Sequence, residues 1–485
     1  MPVSPIATTF YADWRFKHGQ SDFLGETDLP VPESFLQSIW HHQRLLREKL
    51  RTLDGRPVRV LHPGFWNREA GPDFRGAVVQ IGEDTAKSGD VEIDLRSGGW
   101  KAHGHDRNPT FANVVLHVVW DGNDASKVPL PTLPLEPFLD SPISELNQWL
   151  AGDSLKAWPA DLAGHCCAPL CELSEEKLIE LLQQAAYVRL QRKAAEFQAR
   201  ARQGGWEPAL WVGIFRALGY KQNVWPMQRL AELLGNAERG TRNFPRSALS
   251  WQARLLGAGS LLPTQPEEME NDSYLRSMWD IWWRERHASS ELILPKSLWR
   301  FNGMRPANLP QRRLALASHW LANKNFFSNL EKWFTTQNPA ASPLIALLNL
   351  LQVEEDEFWS WHWTFRSVRL PSSQPLIGTS RVSDLAINVI LPWFWMRAVV
   401  GKNEELKQRA EQIYFKWPAA DDNSILRLAR QRLLGGLAPR RLPTAALQQG
   451  LLQIVKDFCE HSNAICADCR FPEMVRSWNL QAGEK

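Results

Sequence analysis

Between Val114 and Trp120 the chain reads Val-Val-Leu-His-Val-Val-Trp, with one polar residue in seven. A strand so apolar has no face to give to water, so it is buried on both sides and needs packing layers above and below its sheet. Three further β-rich runs precede it: Val58 to His62, Phe74 to Ile81 and Val91 to Leu95. Ahead of these, Pro32 and Glu33 suit a first helical turn, and Phe35, Leu36, Ile39, Trp40, Leu46 and Leu50 form an apolar stripe at helical spacing. Asp54-Gly55 marks a turn. Beyond Trp120, Pro129, Pro131, Pro134, Pro137 and Pro142 read as an edge strand and linker.

From Ser174 the pattern is helical. Ser174 reads as an N-cap with Glu175 and Glu176 in the first turn, opening a long run to about Arg202. Helical segments separated by Gly, Pro and Asn then continue to about Cys459, with no fixed repeat. The expected organisation is an α/β domain with a mixed sheet over residues 1–142, a linker over 143–173, and a large all-α domain over 174–485. Length and composition agree. At 485 residues, 44% hydrophobic and 22% charged, the chain is neither collagen-like, low-complexity nor wholly disordered. The apolar run Leu385 to Val400 holds Asn388, Pro392 and Arg397, so it reads as a buried helix with a break rather than a membrane span. The first residues lack a charged segment followed by an apolar one, so no signal peptide is expected and the expected location is cytoplasmic. Trp, at 24, outnumbers Phe and Tyr, a bias with no account at the sequence level.

The densest chemistry lies between residues 62 and 117. In the third strand Val91, Ile93 and Leu95 alternate with Asp90, Glu92 and Asp94, so one face is apolar and the other carries three carboxylates. Such a row repels itself unless it is solvated or holds a cation. Asp73 opens the preceding strand, and a hairpin would bring it near Glu92 and Asp94. Oxygen ligands of this kind suit Mg²⁺ or Mn²⁺. The plain alternative is the solvated face of a half-buried strand. His103 and His105 lie in a Gly-rich loop beside Asp106, as site residues or as loop hydrogen-bonders, and a transition metal held by these three is a further reading. His62 and His117 read as satisfied core histidines.

Pro72-Asp73 and Glu92-Ile93-Asp94, on strands that follow a helix, resemble the core of PD-(D/E)xK nucleases of restriction-endonuclease-like fold. The resemblance implies that Asp73, Glu92 and Asp94 hold a divalent ion that activates water for phosphodiester cleavage. It also implies that Glu33, in register with Leu36 and Trp40, extends the shell. The family's lysine is replaced by Asp94, so Lys101, Lys87, His103 or His105 would supply its function, and Arg96 to Asn113 is poor material for the fold's second helix.

The whole chain also resembles an uncharacterised bacterial family, a domain of unknown function. The resemblance rests on Pro63-Gly64, Asn67, Ala70 to Phe74, Gly89 to Glu92, Trp100, His103 to Asp106 and Asn113 to Val119. It extends to Leu218 to Asn223, Met304-Arg305-Pro306 with Asn308 and Pro310, Ile387-Asn388 with Pro392, and the final cysteines. That family is expected to carry His where this chain has Asp94.

Cys459, Cys466 and Cys469 have C-x6-C-x2-C spacing, and Cys166, Cys167 and Cys171 lie where the helical domain begins. A structural metal site needs four ligands, so one early cysteine, taken as Cys167, or else His461, would complete the late three. A similar one-plus-three split occurs in iron–sulfur nucleases of the same fold, and zinc is the simpler alternative. Buried thiols without metal are the other reading.

The net charge is only +3, so nucleic-acid binding would depend on where charges sit. Leu292 to Leu330 lacks Asp and Glu and carries Lys296, Arg300, Arg305, Arg312 and Arg313, a set that could track phosphates or solvate helix faces. Two expectations follow: a Mg²⁺- or Mn²⁺-dependent nuclease acting on DNA or RNA, or a non-catalytic nucleic-acid-binding or scaffold protein on a decayed nuclease core. No membrane partner is expected, and no protein partner is legible. The chain has no P-loop, Rossmann fingerprint or G-x-S-x-G elbow.

Overall fold

The computed structural model describes residues 9–18, 33–67, 71–121, 128–143, 146, 166–237, 247–263, 273–286, 293–301, 304–336, 342–420, 424–435, 442–459 and 469–480. Two compact units divide the chain. One comprises Met1–Arg192, Asn423–Arg441 and Leu447–Lys485, and the other Lys193–Asp422 and Leu442–Ala446.

The first unit opens with helix α1 (Phe10–His18) and helix α2 (Glu33–His42). Strands β1 (Val58–His62), β2 (Phe65–Trp66), β3 (Phe74–Ile81), β4 (Lys87–Asp94), β5 (Val114–Val119) and β6 (Thr132–Pro134) form one sheet. Its order is β1-β3-β4-β5-β6, with β2 paired to β3. The first three strands of that order are antiparallel, and β4, β5 and β6 are parallel, so the sheet is mixed. The proline-rich stretch supplies β6 at the sheet edge, where a missing N–H costs least.

The core forms where α2 lays Phe35, Leu36, Ile39 and Trp40 against Val58, Val60, Phe74, Val91, Ile93, Leu116 and Val118. On the other face, Trp100, Phe111 and Val114 make a smaller cluster, so β5 is buried on both sides as its composition requires. These three residues border the crossover from β4 to β5. It runs through the short helix α3 (Gly99–Ala102) and two 3-10 turns, His105–Arg107 and Pro109–Phe111. Glycines and Pro109 keep this segment from forming a longer helix.

Helix α4 (Cys167–Glu172) and the 30-residue helix α5 (Glu175–Gly204) follow. Ser174 Oγ accepts the Lys177 N–H at 3.3 Å, the N-cap its position predicts. A buried ion network anchors α1. Asp457, on the π-type turn Val455–Cys459, accepts the Tyr11 hydroxyl at 2.8 Å and pairs with Arg15 at 2.9 Å. Burial alone would raise the Asp457 carboxyl, but Arg15 and then Arg192 hold it below the usual carboxylate range.

The second unit is largely helical. Its helix Thr379–Val400 is 22 residues long and apolar enough to cross a membrane by length and composition, but 78% of its apolar window is buried inside the protein. The expected break is a π-type turn, Ala386–Ile390, just before Pro392. Proline removes one N–H and crowds the carbonyl four residues back, and the wider turn accommodates both. The tryptophan bias gains a physical account here. Indole N–H groups donate to the backbone carbonyls of Gly259 from Trp299 (2.7 Å), Leu351 from Trp320 (2.9 Å) and Trp206 from Trp393 (2.8 Å). One side chain thus fills core volume and satisfies a carbonyl at a helix end or start.

Candidate functional site

The hairpin of β3 and β4 sets the site's register. Phe74 pairs with Val91 and Ala77 with Gly89, so β3 carries one extra residue between them. Gly76, at φ +67°, accommodates this bulge, and its N–H donates to Asp90 Oδ1 at 3.0 Å. Beyond the bulge, Asp73 stands across from Glu92. The Asp73 N–H donates to Glu92 Oε2 at 3.0 Å, and the Ile93 N–H donates to Asp73 Oδ2 at 3.1 Å. From α2, Gln37 Nε2 donates to Asp73 Oδ1 at 2.9 Å and to Glu33 Oε1 at 3.2 Å, which draws Glu33 into the same cluster.

Glu92 and Asp94 occupy the sheet face opposite the main core, and His117 joins them because it pairs with Glu92 in the parallel register of β4 and β5. Asp94 lies between two imidazoles, with Oδ1 3.0 Å from His103 Nδ1 and Oδ2 2.9 Å from His117 Nε2. His105 stacks on Phe111 at 4.0 Å between ring centres and meets Trp100 edge-on. Its Nε2 lies 3.1 Å from Glu92 Oε1, yet it is enclosed and finds no hydrogen-bond partner among the described residues. Gly104, at φ +73° between the two loop histidines, takes the left-handed conformation that this turn needs. Gly99 is required for closeness, because a Cβ there would sit 2.6 Å from Asp94 Oδ1.

Among the described residues, Asp73, Glu92 and Asp94 form no ion pair with Lys or Arg; the charged partners that Glu92 and Asp94 meet are histidines. Burial, then Glu33, pushes the Asp73 carboxyl up to about 7. Burial, then Asp73, pushes Glu92 up to about 9. Burial and then Asp94 raise Glu33, while burial lowers His105 and favours its neutral ring. Carboxyls so placed hold protons near neutrality unless a cation takes the protons' place. Asp73 and Glu92 thus meet across the hairpin as hard oxygen donors with no Lys or Arg partner, the kind of donor a divalent ion takes, while both Asp94 oxygens are engaged by His103 and His117. Asp94, His103 and His105 also offer three ligand atoms within 4.8 Å of one another, the one such set among the described residues.

Other expected site residues lie elsewhere. Lys101 is exposed on α3, and its side chain makes no ion pair or hydrogen bond among the described residues. Asp106 meets Arg107 at 3.8 Å and is not part of the three-atom set. Lys296, Arg300 and Arg305 are exposed in the second unit. Arg312 and Arg313 correct the expectation of phosphate contact, since they are 1% and 5% exposed. Arg312 donates to the carbonyls of Trp359, Gln374 and Pro375, and Arg313 to that of Leu376 and to Asn308, so neither guanidinium is available to a phosphate.

Cys167 and Cys171 are neighbours one turn apart on α4, and burial, then Cys171, raises the Cys167 thiol. Helix α4 packs against Phe471–Leu480, the helix that follows Cys469. Cys459 is buried at the end of the π-type turn, and Cys466 and His461 lie outside the described residues. Sequence reasoning missed Gln37, which no motif marks; His117 is, as read, a buried histidine with a hydrogen-bond partner, and that partner is Asp94.

Residues 33–423, most of the chain, match the family described as Protein of unknown function (DUF2851). No curated protein and no solved structure matches the chain.

Proposed function

The chain belongs to the DUF2851 family, and we propose that it is a divalent-metal-dependent phosphodiester hydrolase, a nuclease acting on DNA or RNA. The observation that carries this reading is the mutual contact of Asp73 and Glu92 across a hairpin, with Asp94 on the same strand face and no Lys or Arg to neutralise them. The strand order supports it: three antiparallel strands after a helix, then a crossover to a parallel fourth, suit a restriction-endonuclease-like core.

Asp73, Glu92 and Asp94 would hold Mg²⁺ or Mn²⁺, with Glu33 extending the shell through Gln37. Such an ion supplies an activated water and offsets charge on the phosphate. In this reading His103 takes the role that PD-(D/E)xK nucleases give to lysine. With Nδ1 on Asp94 and its side chain 56% exposed, its Nε2 is left to accept a proton from water. Lys296, Arg300 and Arg305 are the exposed side chains we assign to phosphate contact. Packing of α4 against Phe471–Leu480 supports a structural Zn²⁺ or iron–sulfur site built from Cys167, Cys459, Cys466 and Cys469.

The test is cleavage of a panel of single- and double-stranded DNA and RNA with Mn²⁺, for wild type and Asp73→Ala. Cleavage by wild type alone supports the assignment, and equal activity rejects it. The second reading, a non-catalytic nucleic-acid binder, is favoured by one observation: the Lys101 side chain makes no ion pair with the acids among the described residues. Salt-sensitive binding without cleavage of any substrate would select it.

A further inference from the structure

We propose that Asp94, His103 and His105, with Glu92 Oε1 alongside, form a nitrogen–oxygen site for a transition-metal ion of the Zn²⁺ class. It shares Asp94 and Glu92 with the all-oxygen position proposed at Asp73 but takes its nitrogen ligands from His103 and His105, and it does not rest on the hydrolase reading.

Four observations carry it. First, the three ligand atoms lie within 4.8 Å of one another. Ligands held about 2.0–2.2 Å from an ion stand roughly 3–4 Å apart, so a small contraction closes the set. Second, His105 Nε2 is an enclosed nitrogen that makes no hydrogen bond of good geometry among the described residues and lies 3.1 Å from Glu92 Oε1, at ion-pair distance. An unmet buried polar atom costs about 1–3 kcal/mol. A nitrogen and a carboxyl oxygen held this close, facing Asp94 and His103, are donors that one shared cation can take up.

Third, the ligands are held from behind. Asp94 Oδ2 is bonded to His117 Nε2 at 2.9 Å, the His105 ring is sandwiched against Phe111, and Gly99 brings α3 onto Asp94. Partners of this kind orient a metal's ligands. Fourth, His103 is 56% exposed, which gives an ion a way in and leaves one side of the site open. Imidazole nitrogen selects among cations, favouring Zn²⁺, Co²⁺, Ni²⁺ and Cu²⁺ over Mg²⁺ and Ca²⁺.

The experiment titrates chelator-treated full-length protein with Co²⁺ and reads its visible absorption. Wild type is expected to develop the bands of a nitrogen–oxygen site, and His103→Ala and His105→Gln are each expected to weaken binding at least tenfold. His103→Ala alters an exposed ring, so a melting curve matching wild type certifies its fold. Asp73→Asn is expected to keep the bands while abolishing any hydrolysis, which separates this site from the proposed activity. Bands unchanged in both histidine variants overturn the proposal. So does a spectrum with only thiolate charge-transfer absorption, which would assign the metal to the cysteines.

Discussion

Asp94 and His117 hold each other across two parallel strands, Oδ2 2.9 Å from Nε2, with 1% and 0% of the two residues exposed. Such a bond fixes the Asp94 carboxylate so that its other oxygen faces His103. His117 Nδ1 has no hydrogen-bond partner among the described residues, so the Asp94 bond is the ring's one polar tie there.

Replacing His117 by Leu leaves Asp94 Oδ2 buried and unpaired. We expect a loss of about 1–3 kcal/mol of stability, read by thermal melting. Co²⁺ affinity is expected to fall about 10–100-fold, the usual effect of removing a residue that orients a metal ligand. Unchanged affinity would separate His117 from the site.

Glu92→Gln tests the electrostatics. Folded Glu92 keeps its proton up to about 9, whereas an unfolded glutamate releases it near about 4.3. Between these values the folded state binds more protons, so metal-free stability falls as pH rises. At roughly 1.4 kcal/mol per pH unit, the loss reaches a few kcal/mol by mild alkali. The amide mimics the protonated acid, so the metal-free variant should melt above wild type at about pH 8 and close to it at about pH 4. Added Mn²⁺ should raise the wild-type melting temperature more than the variant's. Parallel pH profiles would refute the assignment.

Gly99→Ala places a methyl group 2.6 Å from the Asp94 carboxylate, and α3 must move to admit it. The expected cost is about 1–3 kcal/mol, with weakened Co²⁺ binding. Gly104→Ala, where nothing lies within 4 Å but φ is +73°, should cost only the backbone strain of about 1 kcal/mol. A Gly99→Ala protein with wild-type metal affinity would show that α3 does not shape the site.

Arg312→Met tests a structural role in the second unit. Burial, then Arg313, lowers Arg312 to about 10, so it stays cationic at neutral pH and serves carbonyls from Trp359 to Pro375. Losing it should cost about 3–5 kcal/mol, as for other buried charges removed from their partners. Nucleic-acid affinity at a temperature where the variant is folded should not change. Lys296→Ala or Arg305→Ala should instead reduce the salt slope of binding by about one each, if those residues meet phosphate.

Much of the fold was legible because its signals are local. Local β-rich, apolar runs located β1, β3 and β5 to within a residue, and the alternation in β4 assigned Val91 and Ile93 to the core. The bends were legible too: Pro392 marked the π-type turn, and the run of glycines and Pro109 marked the broken crossover. The site was half legible. Asp73 and Glu92 carry a spacing that a hairpin brings together, but Arg312 and Arg313 looked like a phosphate patch because charge runs carry no information about burial.

The amino-acid order alone settled which segments could be strands, which face of β4 was acidic, and that this face needed either water or a cation. Tertiary structure decided how far that face is exposed. Gly99, Trp100 and the His103–His105 loop lie over Asp94 and Glu92 and bury both carboxyls, and the parallel register sets His117 beside them. Strand patterns follow from covalent alternation every two residues. Burial and partnership follow from chain segments distant in sequence meeting in space, which no short-range pattern encodes.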